Sequence, residues 1–69
     1  MVEIQVDQRV ELTHDIPELG LRRGEKGTVC SRWFKPAMIY EIEFRNDTSK
    51  ASIRALLKPE QIMGAYRLD

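Results

Sequence analysis

The sequence predicts an all-β fold: a small barrel of five short strands, with one short helical turn before the last strand. Three observations carry this. The chain has 69 residues, room for one domain whose core buries only about 60% of the unfolded surface. Apolar and polar residues alternate over several short runs, the period of a half-buried strand. Clusters of Gly, Pro, Asn and Asp separate those runs, as turns do.

The elements follow in order. Val6, Val10 and Leu12 share one parity, with Asp7, Arg9 and Glu11 on the other, which predicts the first strand. Val2 and Ile4 continue the parity, but Gln8 interrupts it, so residues 1–5 are expected to fray. Pro17, Gly20 and Gly24 punctuate residues 13–24 and argue against a regular element there. Ile16, Leu19 and Leu21 are expected to fold that long loop back over the core. Residues 24–27 read as a turn into a second strand over residues 28–34, rich in strand formers. Gly27 within this pattern marks a bulge or a close backbone approach.

Lys35-Pro36-Ala37 reads as a turn, since proline disfavours a continuing central strand. Met38, Tyr40, Ile42 and Phe44 then alternate with Ile39, Glu41, Glu43 and Arg45, the cleanest strand pattern in the chain. Asn46-Asp47-Thr48-Ser49 is a polar turn. Ala51, Ile53, Ala55 and Leu57 alternate with Ser52, Arg54 and Leu56. Their composition also suits a helix, but the segment is short and follows a hairpin-like turn, so a strand is preferred. Residues 58–62 suit a single helical turn with Pro59 near its start. Residues 63–68 would form the closing strand. The SH3-like barrel is the commonest plan of this kind. Closing such a sheet removes most exposed edges.

Composition narrows the function. Eleven basic residues balance eleven acidic ones, unlike the basic excess of a non-specific nucleic-acid binder. The 42% apolar and 32% charged content describes a globular protein, not a disordered one. A single cysteine excludes an internal disulfide, and cytoplasmic residence is expected. The first residues lack the basic and apolar regions of a signal peptide. No segment approaches the roughly 18 apolar residues of a membrane span. A structural zinc site needs about four paired Cys or His ligands. With one His14 and one Cys30, no metal and no cofactor are expected.

Each candidate motif has a plain structural reading. Gly24-Glu25-Lys26-Gly27-Thr28-Val29 lacks the spacing, the Lys-Ser/Thr pair and the helix of a phosphate cradle. It reads as a turn and a strand start. Adjacent residues such as His14 and Asp15 seldom face each other, and no nucleophile motif accompanies them. Asp15 is expected to accept hydrogen bonds from nearby backbone N–H groups. Cys30 reads as a core or half-buried thiol, with Arg32 its one activating neighbour. Glu41 and Glu43 share a strand face and are expected to be solvated, cross-paired with Arg54 or Lys50. Arg22, Arg23, Lys26, Arg32 and Lys35 could meet nucleic acid. Glu18 and Glu25 dilute them, and no stack of exposed aromatics accompanies them. Tyr66 joins Trp33 and Phe34 as an aromatic of interest. The last two are consecutive, so both cannot face one core, and at least one is exposed or at the barrel rim.

The stretch from Val10-Glu11-Leu12 through Asp15-Ile16-Pro17-Glu18-Leu19-Gly20-Leu21 to Gly24-Glu25-Lys26-Gly27-Thr28-Val29 resembles the bacterial family called domain of unknown function 4926. Tyr40-Glu41-Ile42-Glu43-Phe44 is similar to that family's Y-E-V-E-F strand, and Pro59-Glu60-Gln61-Ile62 to its closing turn. The resemblance covers nearly the whole chain. It departs at Asn46-Asp47-Thr48-Ser49, where the family often has a glycine, and at the bulkier Trp33-Phe34-Lys35-Pro36. It implies an SH3-like barrel and no established activity. A looser likeness to barrels in the nitrile hydratase β subunit and in small photosynthetic electron-transfer subunits implies a docking role, by fold analogy alone.

These readings converge on a non-enzymatic module that binds a protein partner. The expected contact surface is the first loop with the adjacent Trp33 loop. Asp15, Glu18, Arg22 and Arg23 would supply charged contacts, and Trp33 or Phe34 the apolar anchor. An antitoxin-like or immunity-like neutraliser and an accessory subunit of a larger complex are the two roles in view. RNA or DNA binding is the alternative class, and pairing of two copies through a strand edge is a further possibility.

Overall fold

Strict alternation along one central strand sets the architecture. Tyr40, Ile42 and Phe44 point to one side and are buried, while Ile39, Glu41 and Glu43 are half-buried on the other. A computed structural model describes residues 4–45 and 51–65. It shows five strands: β1 Arg9–Leu12, β2 Lys26–Trp33, β3 Ile39–Arg45, β4 Ser52–Leu57 and β5 Ile62–Gly64. Single 3₁₀ turns occupy Pro17–Leu19 and Pro59–Gln61.

The strands form one antiparallel sheet in the order β4-β3-β2-β1-β5. The fold is therefore all-β, with the helical turn before the last strand where the sequence places it. The order ends at β4 and β5, so the expected closure into an edgeless barrel is not made by hydrogen bonding among the described residues. Every strand gives side chains to one core: Val10 and Leu12, Val29, Tyr40 with Ile42 and Phe44, Ala55 and Leu57, and Ile62. Ile16 and Leu21 of the first loop complete it.

Several sequence expectations need correction. Val6 is not a strand residue. It lies in a turn, exposed, beside Asp7 at a positive φ of 72°. The chain then rejoins the sheet through Asp7 N–H to Val29 O and Val29 N–H to Gln8 O. Leu19 does not pack inward, because it sits at the exposed tip of the loop. That loop does contain a regular element, the Pro17–Leu19 turn, with Gly20 at φ 69° ending it and donating to Pro17 O. β2 starts at Lys26 and stops at Trp33, so Gly27 is within it and Phe34 is beyond it. β5 is three residues, starting at Ile62 rather than 63. The turn expected at residues 46–49, the Lys50 pairing and Tyr66 lie outside the described residues.

Gly27 is the tightest point of the sheet. It is buried and shares the core-facing parity of Val29. A Cβ placed on it would lie 2.6 Å from Ile42 Cγ2 and 2.7 Å from the Glu43 carbonyl oxygen. Phe44 Cδ1 would be 3.0 Å away. The first neighbour can shift a little. The second is backbone and carries the β2–β3 ladder. Glycine is thus required here by space.

Substituting Gly27→Ala should destabilise the domain by about 1–3 kcal/mol, the usual cost of overpacking. Urea denaturation reads this directly. An unchanged midpoint would show that the two strands can separate freely.

Candidate functional site

Two exposed surfaces carry the residues that the sequence singles out. The first is the loop between β1 and β2. Its frame is a reciprocal backbone pair: Ile16 N–H donates to Leu21 O at 2.9 Å, and Leu21 N–H to Ile16 O at 3.1 Å. Ile16 and Leu21 are buried, which pins this pair to the core. Two carboxylates finish the loop. Asp15 Oδ1 accepts from Arg23 N–H at 2.7 Å, and Glu25 Oε2 from Arg22 N–H at 2.6 Å.

Asp15 thus has the structural role its position suggested, holding the loop's return limb. Glu18 lies in the exposed 3₁₀ turn, and Arg22 and Arg23 are exposed on the return limb. A shallow hollow of about 260 Å³ at the loop is lined by Asp15, Pro17, Gly20, Leu21 and Arg22. At the loop's base Thr13 Oγ1 donates to Glu60 O at 2.6 Å. Its one proton is then used, so in the 2.8 Å contact between Thr13 Oγ1 and His14 Nδ1 the ring nitrogen is the donor. Thr13 therefore ties the loop base to the second 3₁₀ turn, and His14 holds the Thr13 hydroxyl.

The second surface is built by a bulge. In the β2–β3 register Val29 faces Ile42, but Ser31 faces Glu41, so Cys30 is the extra residue. One inserted residue reverses which face the following side chains take. Before the bulge, Gly27 and Val29 face the core. After it, Ser31 and Trp33 share the outer face with Glu41 and Ile39, and Arg32 takes the side of Tyr40. Trp33 stands opposite Ile39 and is 46% exposed. Leu56 on β4, opposite Glu41 on the same outer face, is 65% exposed.

Phe34 is also exposed, at 56%. The Arg32 guanidinium carbon lies 5.2 Å from its ring centre, within cation–π range. Arg32 is itself fixed by Nη1 donating to Ile4 O at 2.7 Å. Both aromatics are therefore substantially exposed, and neither is a core residue. The hydrogen bonds that order the loop run to β1 and to the turn before β5, while those around Trp33 run to β3 and Ile4.

Ile39 and Leu56 were not singled out from the sequence as surface residues. The signal was present, since they are the apolar members of the otherwise charged or polar parity of β3 and β4.

No group of three or more His, Cys, Asp or Glu able to hold a metal occurs among the described residues. Cys30 Sγ is half-buried, 3.7 Å from Thr28 O. Glu43 stands opposite Arg54 in the β3–β4 register, whereas Glu41, expected to pair in the same way, stands opposite Leu56 and Ser31, and both glutamates are half-buried rather than fully solvated. A larger polar hollow of about 780 Å³ mixes Arg9, Lys26 and Arg45 with Glu25 and Glu43.

The model of a family described as domain of unknown function (DUF4926) matches residues 7–64, most of the chain. No curated protein and no solved structure matches it.

Replacing Asp15 by alanine should free the Arg23 amide and raise its hydrogen-exchange rate several-fold, at a stability cost of about 1 kcal/mol. Asp15→Asn keeps an acceptor and should preserve most of the protection. Equal exchange in all three proteins would remove the bond from the account.

Proposed function

The chain belongs to the DUF4926 family, whose name assigns no activity, so its role is read from its own surface, and we propose that it is a non-enzymatic module that docks a protein partner. The observation that carries this reading is the Trp33 face. An exposed tryptophan stands opposite a half-buried isoleucine on the outer side of the sheet, with exposed Leu56 on the same side of β4. Directly opposed side chains on one sheet face have Cβ atoms about 5 Å apart, so Trp33 and Ile39 form one contact unit. Contiguous exposed apolar residues rimmed by polar ones are typical of protein-interaction sites. Tryptophan and arginine are the commonest anchors within such sites.

The polar rim is supplied by Ser31, Glu41 and Arg54 on the same outer face. Phe34 under Arg32 offers a second aromatic at the strand end. Glu18, Arg22 and Arg23 are exposed and would add charge-specific contacts from the ordered first loop. Asp15 holds that loop through the Arg23 N–H and is itself exposed beside them. A pre-ordered loop lowers the entropy cost of association.

Affinity capture from native lysate, with wild-type and Trp33→Ala baits, each with and without nuclease, tests the reading. The expected result is a protein retained by wild type regardless of nuclease and lost by Trp33→Ala, a weakening of at least tenfold for an anchor residue. Circular dichroism should show the variant folded, because Trp33 is not part of the core. Retention by both baits would move the anchor elsewhere. Loss of all partners after nuclease would favour nucleic-acid binding instead.

A further inference from the structure

We propose that β4 is a self-pairing edge, through which two copies of this chain join antiparallel, centred on Ala55, into one continuous sheet. The inference goes beyond partner docking and uses the sheet edge rather than the Trp33 face. β4 ends the strand order and pairs with β3 alone. Among the described residues, Ser52–Leu57 make no backbone hydrogen bond beyond that ladder. Its outer row of N–H and C=O groups therefore meets no backbone partner among the described residues.

Natural edge strands are usually blunted by charged side chains, proline, a bulge or shortness. β4 has no proline and no bulge, and its single charge is Arg54. It runs Ser-Ile-Arg-Ala-Leu-Leu in unbroken register across six residue pairs. The other edge, β5, is only three residues and ends in glycine. β4 also leaves apolar surface uncovered on both faces. Ile53 shares the core-facing parity of Ala55 and Leu57 and sits opposite buried Phe44, yet it is 41% exposed. Leu56 projects on the other face.

Charge selects a second copy and fixes its register. Two antiparallel edges that share a core side must pair residues of equal parity. Placing Arg54 opposite the other copy's Arg54 sets like charges face to face, which is unfavourable. Placing Leu56 opposite Leu56 sets Arg54 against Lys58, with the same fault. Centring on Ala55 avoids both. Arg54 then stands opposite Leu56 of the second copy, and Ile53 opposite its Leu57, which covers the exposed isoleucine. The chain's net charge of zero imposes no overall repulsion between copies.

Sedimentation velocity of the full chain over a wide concentration range tests this, with Leu56→Glu, Leu56→Lys and Trp33→Ala as variants. Position 56 is exposed, so both charges should leave the fold intact, checked by circular dichroism. The wild type should show a reversible monomer–dimer equilibrium. Leu56→Glu, facing Arg54 of the second copy twice over, should tighten it roughly threefold to tenfold, and Leu56→Lys should weaken it by a similar factor. Within one copy Glu41 neighbours position 56. Monomer stability should therefore move in the opposite sense, which separates the two effects. Trp33→Ala should leave the dimer unchanged, so failure here and failure of the partner-docking reading are distinguishable. A wild type that stays monomeric throughout overturns the proposal. So does equal weakening by both charges, which would mark general apolar association, or a dimer abolished by Trp33→Ala.

Discussion

The seam between β2 and β3 at Gly27 constrains the rest of the structure. The backbone of β2 lies so close to Ile42, Glu43 and Phe44 that no side chain fits between them. Ile42 and Phe44 can reach under β2 only because Gly27 lacks a Cβ. Their burial, with Val29 on the facing strand, makes the centre of the core. β1 pairs on the other side of β2 and carries β5 with it. β4 hangs on β3. A small domain has little apolar area to spare, so the closeness of this one contact affects every strand.

A second feature of the same seam separates the inside from the surface. Cys30 is inserted between two stretches of regular pairing, and the parity of β2 reverses there. Without it, Trp33 would share the face of Val29 and compete for core space. With it, Trp33 stands opposite Ile39 on the outer face and Arg32 reaches Ile4 and Phe34. The half-buried thiol at this position needs no chemical role to account for it. A residue that occupies the bulge without demanding full burial or full hydration fits there.

The fold was largely legible in the sequence, for reasons particular to its strands. Residues 38–45 alternate with Ile39 as the one exception, so the period fixes both strand and buried face. In β4 the same period outweighed good helix formers, because Ala55 and Leu57 pack on one side of a strand that pairs regularly with β3. Gly27 was readable as a close approach because a glycine breaks an otherwise bulky run. Loop packing was less legible. Ile16 and Leu21 are pinned by a reciprocal backbone pair that leaves Leu19 at the tip, and apolar character alone does not reveal that geometry. Val6 matched the strand parity, but Asp7 takes a positive φ and breaks the run. The surface was only half legible. Trp33 stood out by type, whereas its face depended on the bulge, and its partner Ile39 depended on the register.

The first loop and the Trp33 face are prepared by different means. The loop is ordered by carboxylates that accept backbone N–H groups and by two buried aliphatics beneath them. The Trp33 face is ordered by strand register alone. The functional account rests on the second, and the chain's single tryptophan reports on it directly. Acrylamide quenching of Trp33 fluorescence in native and urea-unfolded protein is the decisive measurement. The account predicts a solvent-accessible tryptophan, quenched in the native protein at a large fraction of the unfolded rate, with an emission maximum that moves little on unfolding. A protected, blue-shifted native emission that moves far to the red on unfolding would place Trp33 in the core and contradict it.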